Sequence, residues 1–495
     1  MHKKAFSAKL ISVLALAAII TTLLASCTGG GGYYYDDSLA AGEEYTAIIE
    51  NEFISADEEN TSYFSIDANS AAYPNLRSLI KNGYEIPRDA IRIEEMLNYF
   101  RYDYTTAEGD DILALNASVF NNPYNSKTKL LTVGLAAAEV RMSDIRNNLV
   151  FLIDTSGSME SSDKLALIQS AFCLAAQNLN PEDRISIVTY AGNERVALDG
   201  AYGYQTERIK AVIDDLAAGG TTAGEAGIEK AYELARKYFI EGGNNRVILA
   251  TDGDFNVGVT STTELKDIIS EKRESGIYFS VYGVGRGNLN SELMENLALS
   301  GNGTYSYLDS ETEAKRAFVE GIGGSFITVA KDVKAGITFN TNYVDSYRLI
   351  GYENKTLTSE EFEDSETDAG ELGSGHTVTV VYEIKLKGNE VSPEGKFADV
   401  IIKYKPSENT AAEESTEKSL TLEVGADVYR KVPNEDDLFV ASVIEFALIL
   451  RDSEYKAEAN LDSLIARLDS LDLANYEDRA EFRELVKLYK STYLD

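Results

Sequence analysis

The order of apolar and polar residues changes character several times along the chain. A basic start (Lys3, Lys4, Lys9) runs into a mostly apolar stretch, Leu10–Leu24, and then into the glycine- and acid-rich residues 28–60, which show no clear period. Residues 61–145 contain two stretches with apolar side chains at helical spacing. Asn69–Lys81 carries Tyr73, Leu76 and Ile80, and Arg88–Phe100 carries Ile91, Met96, Leu97 and Phe100 behind Pro87. Alternation at period two follows in Leu113–Phe120 and Lys129–Ala137, across the turn Asn121-Asn-Pro-Tyr-Asn125.

Residues 146–325 alternate between apolar strands and amphipathic helices. Leu149–Ile153 is an unbroken apolar run, as a parallel strand covered on both faces requires. Ile185–Tyr190, Val247–Ala250 and Tyr278–Tyr282 are further strands. Helices are expected around Leu165, Ile168, Phe172 and Leu179, and over Ala223–Phe239, Thr263–Arg273 and Ser291–Leu299. This alternation predicts a doubly wound α/β sheet. Residues 326–430 read as all-β, with runs at Thr377–Ile384, Ala398–Tyr404 and Ser419–Val424. Residues 431–495 return to helix: Leu438–Leu450, then Leu461, Leu464, Ile465 and Leu468, then Phe482, Leu485, Val486 and Tyr489. The strands on either side of the α/β region are too few on the amino-terminal side to leave unpaired. They are expected to share one β-sandwich, into which the α/β domain is inserted.

Composition narrows the chemistry. The chain has 495 residues, with 46 Lys+Arg against 81 Asp+Glu, a formal net charge of −35. That balance argues against nucleic acid, since phosphate binding needs a basic patch. It suits divalent cations or basic partners. With only Cys27, Cys173, His2 and His376, the chain has too few residues for a disulfide framework, and a Cys/His zinc site or a Ser-His-Asp triad is disfavoured. Cys173 sits beside Phe172 and Leu174 and reads as a buried, inert thiol. His376 falls in a Gly/Ser loop.

The amino terminus reads as an address. Leu24-Ala25-Ser26-Cys27 closes the apolar run and resembles the lipobox of bacterial lipoproteins. That resemblance implies cleavage before Cys27, lipid on Cys27, and attachment to a bacterial membrane on its extracytoplasmic face. Residues 1–27 are then the signal and lipobox, and 28–60 a linker that opens with four glycines. Tyr33, Tyr34 and Tyr35 belong to this tether. No later segment is long and apolar enough to span a bilayer. Leu438–Leu450 is too short, contains Glu445, and reads as a buried helix.

The sharpest feature is Asp154-Thr-Ser156-Gly-Ser158, placed directly after the apolar strand Leu149–Ile153. Open α/β sheets bind ligands outside the carboxyl ends of their strands. A second strand ends in Thr251-Asp252-Gly253-Asp254, and a third loop, Gly219-Gly-Thr221-Thr222, enters a helix. Carboxylates and hydroxyls from three loops therefore meet on one rim. All-oxygen donors suit hard cations, Mg²⁺ above all, or Ca²⁺ or Mn²⁺. Asp252-Gly-Asp254 fails the EF-hand pattern, because its sixth position is Val257 instead of glycine. The spacing of Asp154 to Gly157 also departs from that of aspartic proteases.

This pattern resembles the von Willebrand factor A domain and its metal-ion-dependent adhesion site. The resemblance implies that Asp154, Ser156, Ser158 and Asp252 are metal ligands, with Thr222 as the fifth and Thr221 as its alternative. It also implies that the open metal position takes an acidic side chain from a protein partner. The flanks Tyr63-Phe-Ser-Ile-Asp-Ala-Asn-Ser and Ile86-Pro-Arg-Asp-Ala-Ile-Arg-Ile-Glu-Glu-Met-Leu-Asn-Tyr-Phe100, with Thr251-Asp-Gly-Asp-Phe-Asn-Val-Gly258, resemble a bacterial lipoprotein family with a central domain of this kind. The expected organisation is 61–145 amino-terminal flank, 146–325 von Willebrand A domain, 326–430 β-rich region and 431–495 helical region. The expected function is binding, without covalent chemistry. Two competing readings remain. One is a metal-assisted hydrolase of the cell envelope, with Asp254 or Glu225 as base. The other is an envelope-assembly scaffold whose metal is only structural.

Overall fold

Side chains in Asn147–Asp154 leave alternately from the two faces of a sheet. Leu149, Phe151 and Ile153 enter one apolar core, while Val150 and Leu152 enter another. In this computed structural model that strand is central to a six-stranded sheet. The order across the sheet is Tyr305–Leu308, Ile277–Val284, Asn244–Thr251, Asn147–Asp154, Arg184–Ala191 and Asn193–Tyr202. All neighbours are parallel except the last pair. The structure describes residues 43–494 except 108–110, 141–144, 221–223, 254–261, 321–326, 389–390, 392–394 and 408–415. Expectations on Cys27, the signal segment and the tether tyrosines lie outside the described residues.

Helices cover both faces of this sheet, as the unbroken apolar strands require. Leu165–Gln177 and Thr206–Asp214 pack on one side, and Gly224–Lys237, Thr262–Arg273 and Ser291–Ser300 on the other. Asn193–Tyr202 was not foreseen. It is an edge strand with an exposed, polar first half, so it carries no apolar signature, and Gly192 makes its hairpin turn at φ +78°.

The strands flanking the α/β domain do form one sandwich. Thr377–Leu386 pairs antiparallel with Lys129–Ala137, which pairs with Leu113–Asn121. This sheet faces a second one, built on Thr328–Phe339, Lys396–Pro406, Lys418–Gly425 and Thr61–Ser65. Period two sorts the side chains. Leu131, Val133 and Leu135 point between the sheets, whereas Leu130, Phe120 and Val381 point outward. The outward face is covered by helices from both chain ends: Ala72–Asn82, Ile93–Tyr99, Glu435–Leu450, Leu461–Asp469 and Glu477–Tyr493. Glu435–Leu450 is buried on most sides, as expected. Among the described residues, no helix is long and apolar enough to cross a membrane.

Three local expectations need correction. The helix expected over Asn69–Lys81 starts at Ala72, because Asn69 holds Tyr305 N–H with its side chain and the Glu95 carboxylate accepts from Ala72 N–H at 2.8 Å. The helix expected over Arg88–Phe100 breaks into a short turn, Arg88–Ala90, and the helix Ile93–Tyr99. Arg92 is extended, and the Ile91 carbonyl accepts from Arg451 Nε at 2.7 Å. Residues 43–60, expected within the linker, lie along the body instead. Glu44 N–H donates to Leu289 O, Ile48 N–H donates to Asp89, and Ile54–Ser55 pairs with Val344–Ile350.

Candidate metal centre

The chain leaves strand Asn147–Asp154 for a neighbour on one side and later returns to Asn244–Thr251 on the other. A crevice opens outside the carboxyl ends of the strands at that reversal. Asp154 ends the first strand, and Asp252 follows directly on the second, with Ile153 in register with Ala250. The two carboxylates therefore lie at the same level, and both are fully buried.

The loop after Asp154 is folded around its carboxylate. Oδ1 accepts from Ser156 N–H at 2.9 Å, and Oδ2 accepts from the Thr251 hydroxyl at 3.1 Å. Ser156 Oγ and Ser158 Oγ are 2.9 Å apart; Ser156 is buried and Ser158 partly exposed. The carboxylates thus form the floor and the serines lead to the mouth. The third loop is stitched to the first by backbone: Gly219 N–H donates to Thr155 O at 2.8 Å, and Gly157 N–H donates to Gly220 O at 3.1 Å. Gly220 has φ +93°, and a Cβ there would stand 3.0 Å from Ala191 O, so glycine suits this close approach. Thr221 and Thr222 come next and lie outside the described residues, as does Asp254; nothing is described of the Glu225 side chain.

Burial pushes the Asp154 carboxyl up to about 6, and the neighbouring Asp252 charge adds to this, against the hydrogen bonds from Ser156 and Thr251. Two buried acids side by side are stabilised by a positive charge. The donors are carboxylate and hydroxyl oxygens, without nitrogen or sulfur, which fits Mg²⁺ and the other hard dications.

One residue of this site escaped the sequence reading. Lys164, buried, places Nζ 2.8 Å from Asp252 Oδ2, and Asn288 Nδ2 lies 3.4 Å from the same oxygen. The signal was present. Lys164 immediately precedes helix Leu165–Gln177, where the helix dipole disfavours a cation. A lysine in that position is held there by something else.

The remaining chemical candidates lie elsewhere. Cys173 is only partly buried, at the margin of a core, where full burial was expected. Burial and the nearby Asp214 carboxylate push its thiol up to about 11, so it stays protonated and inert. His376 sits in the loop between two strands, where burial pushes its imidazole down to about 4. Asp67, Glu95 and Glu295 place carboxylate oxygens within 4.8 Å of one another. Lys355 Nζ already stands 2.6 Å from Glu295 and 3.4 Å from Asp67, and Arg92 lies 3.7 Å from Glu95. Two cations stand against the three carboxylates, burial and then the Glu295 charge push the Glu95 carboxyl well up, and the cluster clasps the amino-terminal flank, the α/β domain and the sandwich together. A groove of about 860 Å³, lined by Phe239, Arg273, Tyr278, Lys331 and Lys405 among others, opens at the amino ends of the strands, away from Asp154.

Comparison with known proteins matches this architecture. The family model for the von Willebrand factor type A domain covers residues 148–320, a second model described as von Willebrand factor covers 40–132, and one described as Uncharacterized protein YfbK, C-terminal, covers 324–492. Uncharacterized protein YfbK of Escherichia coli (strain K12) is 36% identical over 472 residues, spanning 90% of this chain and 80% of that protein. Uncharacterized protein sll0103 of Synechocystis sp. is 27% identical over 34% of this chain and 40% of its own length. Among solved structures, the von Willebrand factor type A protein from Catenulispora acidiphila aligns with a TM-score of 0.42 at 15% identity, over 79% of this chain and 88% of that one.

Proposed function

Because the chain belongs to the YfbK family, with a von Willebrand factor type A domain ahead of the YfbK carboxy-terminal domain, we propose that it is a cell-envelope lipoprotein that binds a protein partner through a divalent cation. Asp154, Ser156, Ser158, Asp252 and Thr222 would hold the cation, and lipid on Cys27 would anchor the chain to the extracytoplasmic face of a bacterial membrane. The observation that carries this reading is the convergence of two fully buried carboxylates and two serine hydroxyls at the reversal point of the sheet.

When bound, the cation supplies a Lewis-acidic position for one further oxygen, which an acidic side chain of the partner fits best. The protein's own groups do the positioning. Ser156 N–H and the Thr251 hydroxyl fix the two oxygens of Asp154, and the Gly219–Gly220 backbone holds the third loop against the first. Binding of this kind needs no general base and no covalent step.

The test is a pulldown from envelope extract with and without EDTA, using wild type and Thr222→Ala, alongside fractionation of Cys27→Ala. The expected result is a partner retained only by wild type in Mg²⁺, and release of Cys27→Ala from the membrane fraction. A partner held equally in EDTA refutes the metal-dependent reading, and membrane attachment that survives Cys27→Ala refutes the lipid anchor.

A further inference from the structure

Lys164 does not belong to the five oxygen donors, yet its ammonium lies within the same buried site, 2.8 Å from Asp252 Oδ2. A space has been left for it. Gly285 has φ +67°, and a Cβ there would come within 2.4 Å of Lys164 Cγ and Cε. The lysine stem thus runs across a bare stretch of backbone to reach the carboxylate. The Tyr307 hydroxyl donates to Gly285 O at 2.8 Å and fixes that backbone. Holding a buried lysine at the start of a helix opposes both desolvation and the helix dipole, so its contact with Asp252 must offset both.

We propose that Lys164 is a tethered countercharge of the adhesion site, which holds Asp252 in the metal-free protein and sets the charge of the loaded one. The inference rests on the metal-binding reading of Asp154 and Asp252. Among the described residues of the site, two carboxylates and one ammonium leave a single net negative charge. A dication then makes the site positive by one, and one carboxylate from a partner brings it to neutrality. Without Lys164 the loaded site would already be neutral, and an acidic ligand would have to bring surplus charge into a buried position. Lys164 therefore weakens metal binding and favours an anionic partner over a neutral one.

The test is Mg²⁺ binding to the full chain by calorimetry, with thermal unfolding in EDTA and in Mg²⁺, for wild type, Lys164→Met and Lys164→Gln. Like charges a few ångströms apart in a partly desolvated site change an affinity on the order of ten- to a hundredfold. Both variants are expected to bind Mg²⁺ tighter by that factor and to melt below wild type in EDTA. A variant that folds only in Mg²⁺ gives the same answer in stronger form. A lysine that merely packed the loop would give the opposite sign, since its loss would loosen the site and weaken Mg²⁺ binding. Wild type that binds Mg²⁺, with variants that bind it no tighter, overturns this inference alone. Wild type that binds no divalent cation overturns the metal-site reading and this inference with it.

Discussion

Asp154→Asn is expected to make the metal-free protein more stable while removing its response to Mg²⁺. The Asp154 carboxyl is held at about 6 in the folded chain against an ordinary 3.8, mainly by burial. A raised acid contributes stability below its unfolded value and gives it up as pH rises through the folded one. Two units correspond to about 3 kcal/mol, so at pH 7 the buried carboxylate costs the apo protein roughly that much. Asparagine keeps an acceptor for Ser156 N–H, and its amide can donate to a rotated Thr251 hydroxyl, so few contacts are lost. Mg²⁺ at a hundredfold excess over its dissociation constant returns about 2.7 kcal/mol to wild type and nothing to the variant. Urea unfolding at pH 7 in EDTA should therefore favour the variant, and Mg²⁺ should close the gap. At pH 4 the wild-type carboxyl is largely protonated and the difference should shrink. A variant less stable than wild type in EDTA at pH 7, or one that still gains stability from Mg²⁺, would refute the reasoning.

Two further expectations concern the joints between the parts. Arg77, fully buried on helix Ala72–Asn82, reaches Asp309 at 2.5 Å, Glu313 at 2.7 Å and Glu481 at 2.7 Å, and so ties the amino-terminal flank to the short helix Glu311–Lys315 of the α/β domain and to helix Glu477–Tyr493. Arg77→Met should destabilise by about 3–5 kcal/mol in urea unfolding, because it strands the buried Asp309 carboxylate while Glu313 keeps Arg316 and Glu481 keeps Lys81, and Asp309→Asn in that background should recover part of the loss; full stability in the single variant would contradict this. Glu94 is fully buried, and among the described residues neither of its carboxylate oxygens accepts a hydrogen bond. Burial and then Glu353 push it up to about 7, against Arg92 and Arg451. Its share of stability is present below pH 4.5 and lost as pH rises through 7, so Glu94→Gln should flatten the pH profile by up to about 3 kcal/mol, measured as the difference between the two unfolding series; parallel series would count against it.

The elements read from the sequence were those whose partners were already implied in the pattern. Leu149–Ile153 is apolar at every position, so it must be covered on both faces. Lys129–Ala137 and Thr377–Ile384 alternate, so each must lie between a core and something else. Strand Asn193–Tyr202 was invisible because its partner, Arg184–Ala191, supplies the backbone pairing while its first half faces solvent and, of its side chains, only Leu198 and Ala201 are buried in the core. Arg88–Phe100 has helical spacing throughout. Its break at Arg92 depends on Arg451, some 360 residues away in the chain.

The candidate metal site divides along the same line. The sequence by itself placed Asp154, Ser156, Ser158 and Asp252 at strand ends of a doubly wound sheet, because a local run of apolar residues followed by a hydroxyl-rich loop carries its meaning within a dozen positions. It also determined the acidic balance and the order of the parts. Only the tertiary structure decided that Lys164 shares the site, that residues 43–60 strap the body, and that Asp67, Glu95 and Glu295 are already paired with Lys355 and Arg92. Those are electrostatic contacts between residues far apart in the chain. Charge acts through space over a few ångströms, and the sequence records only distance along the backbone.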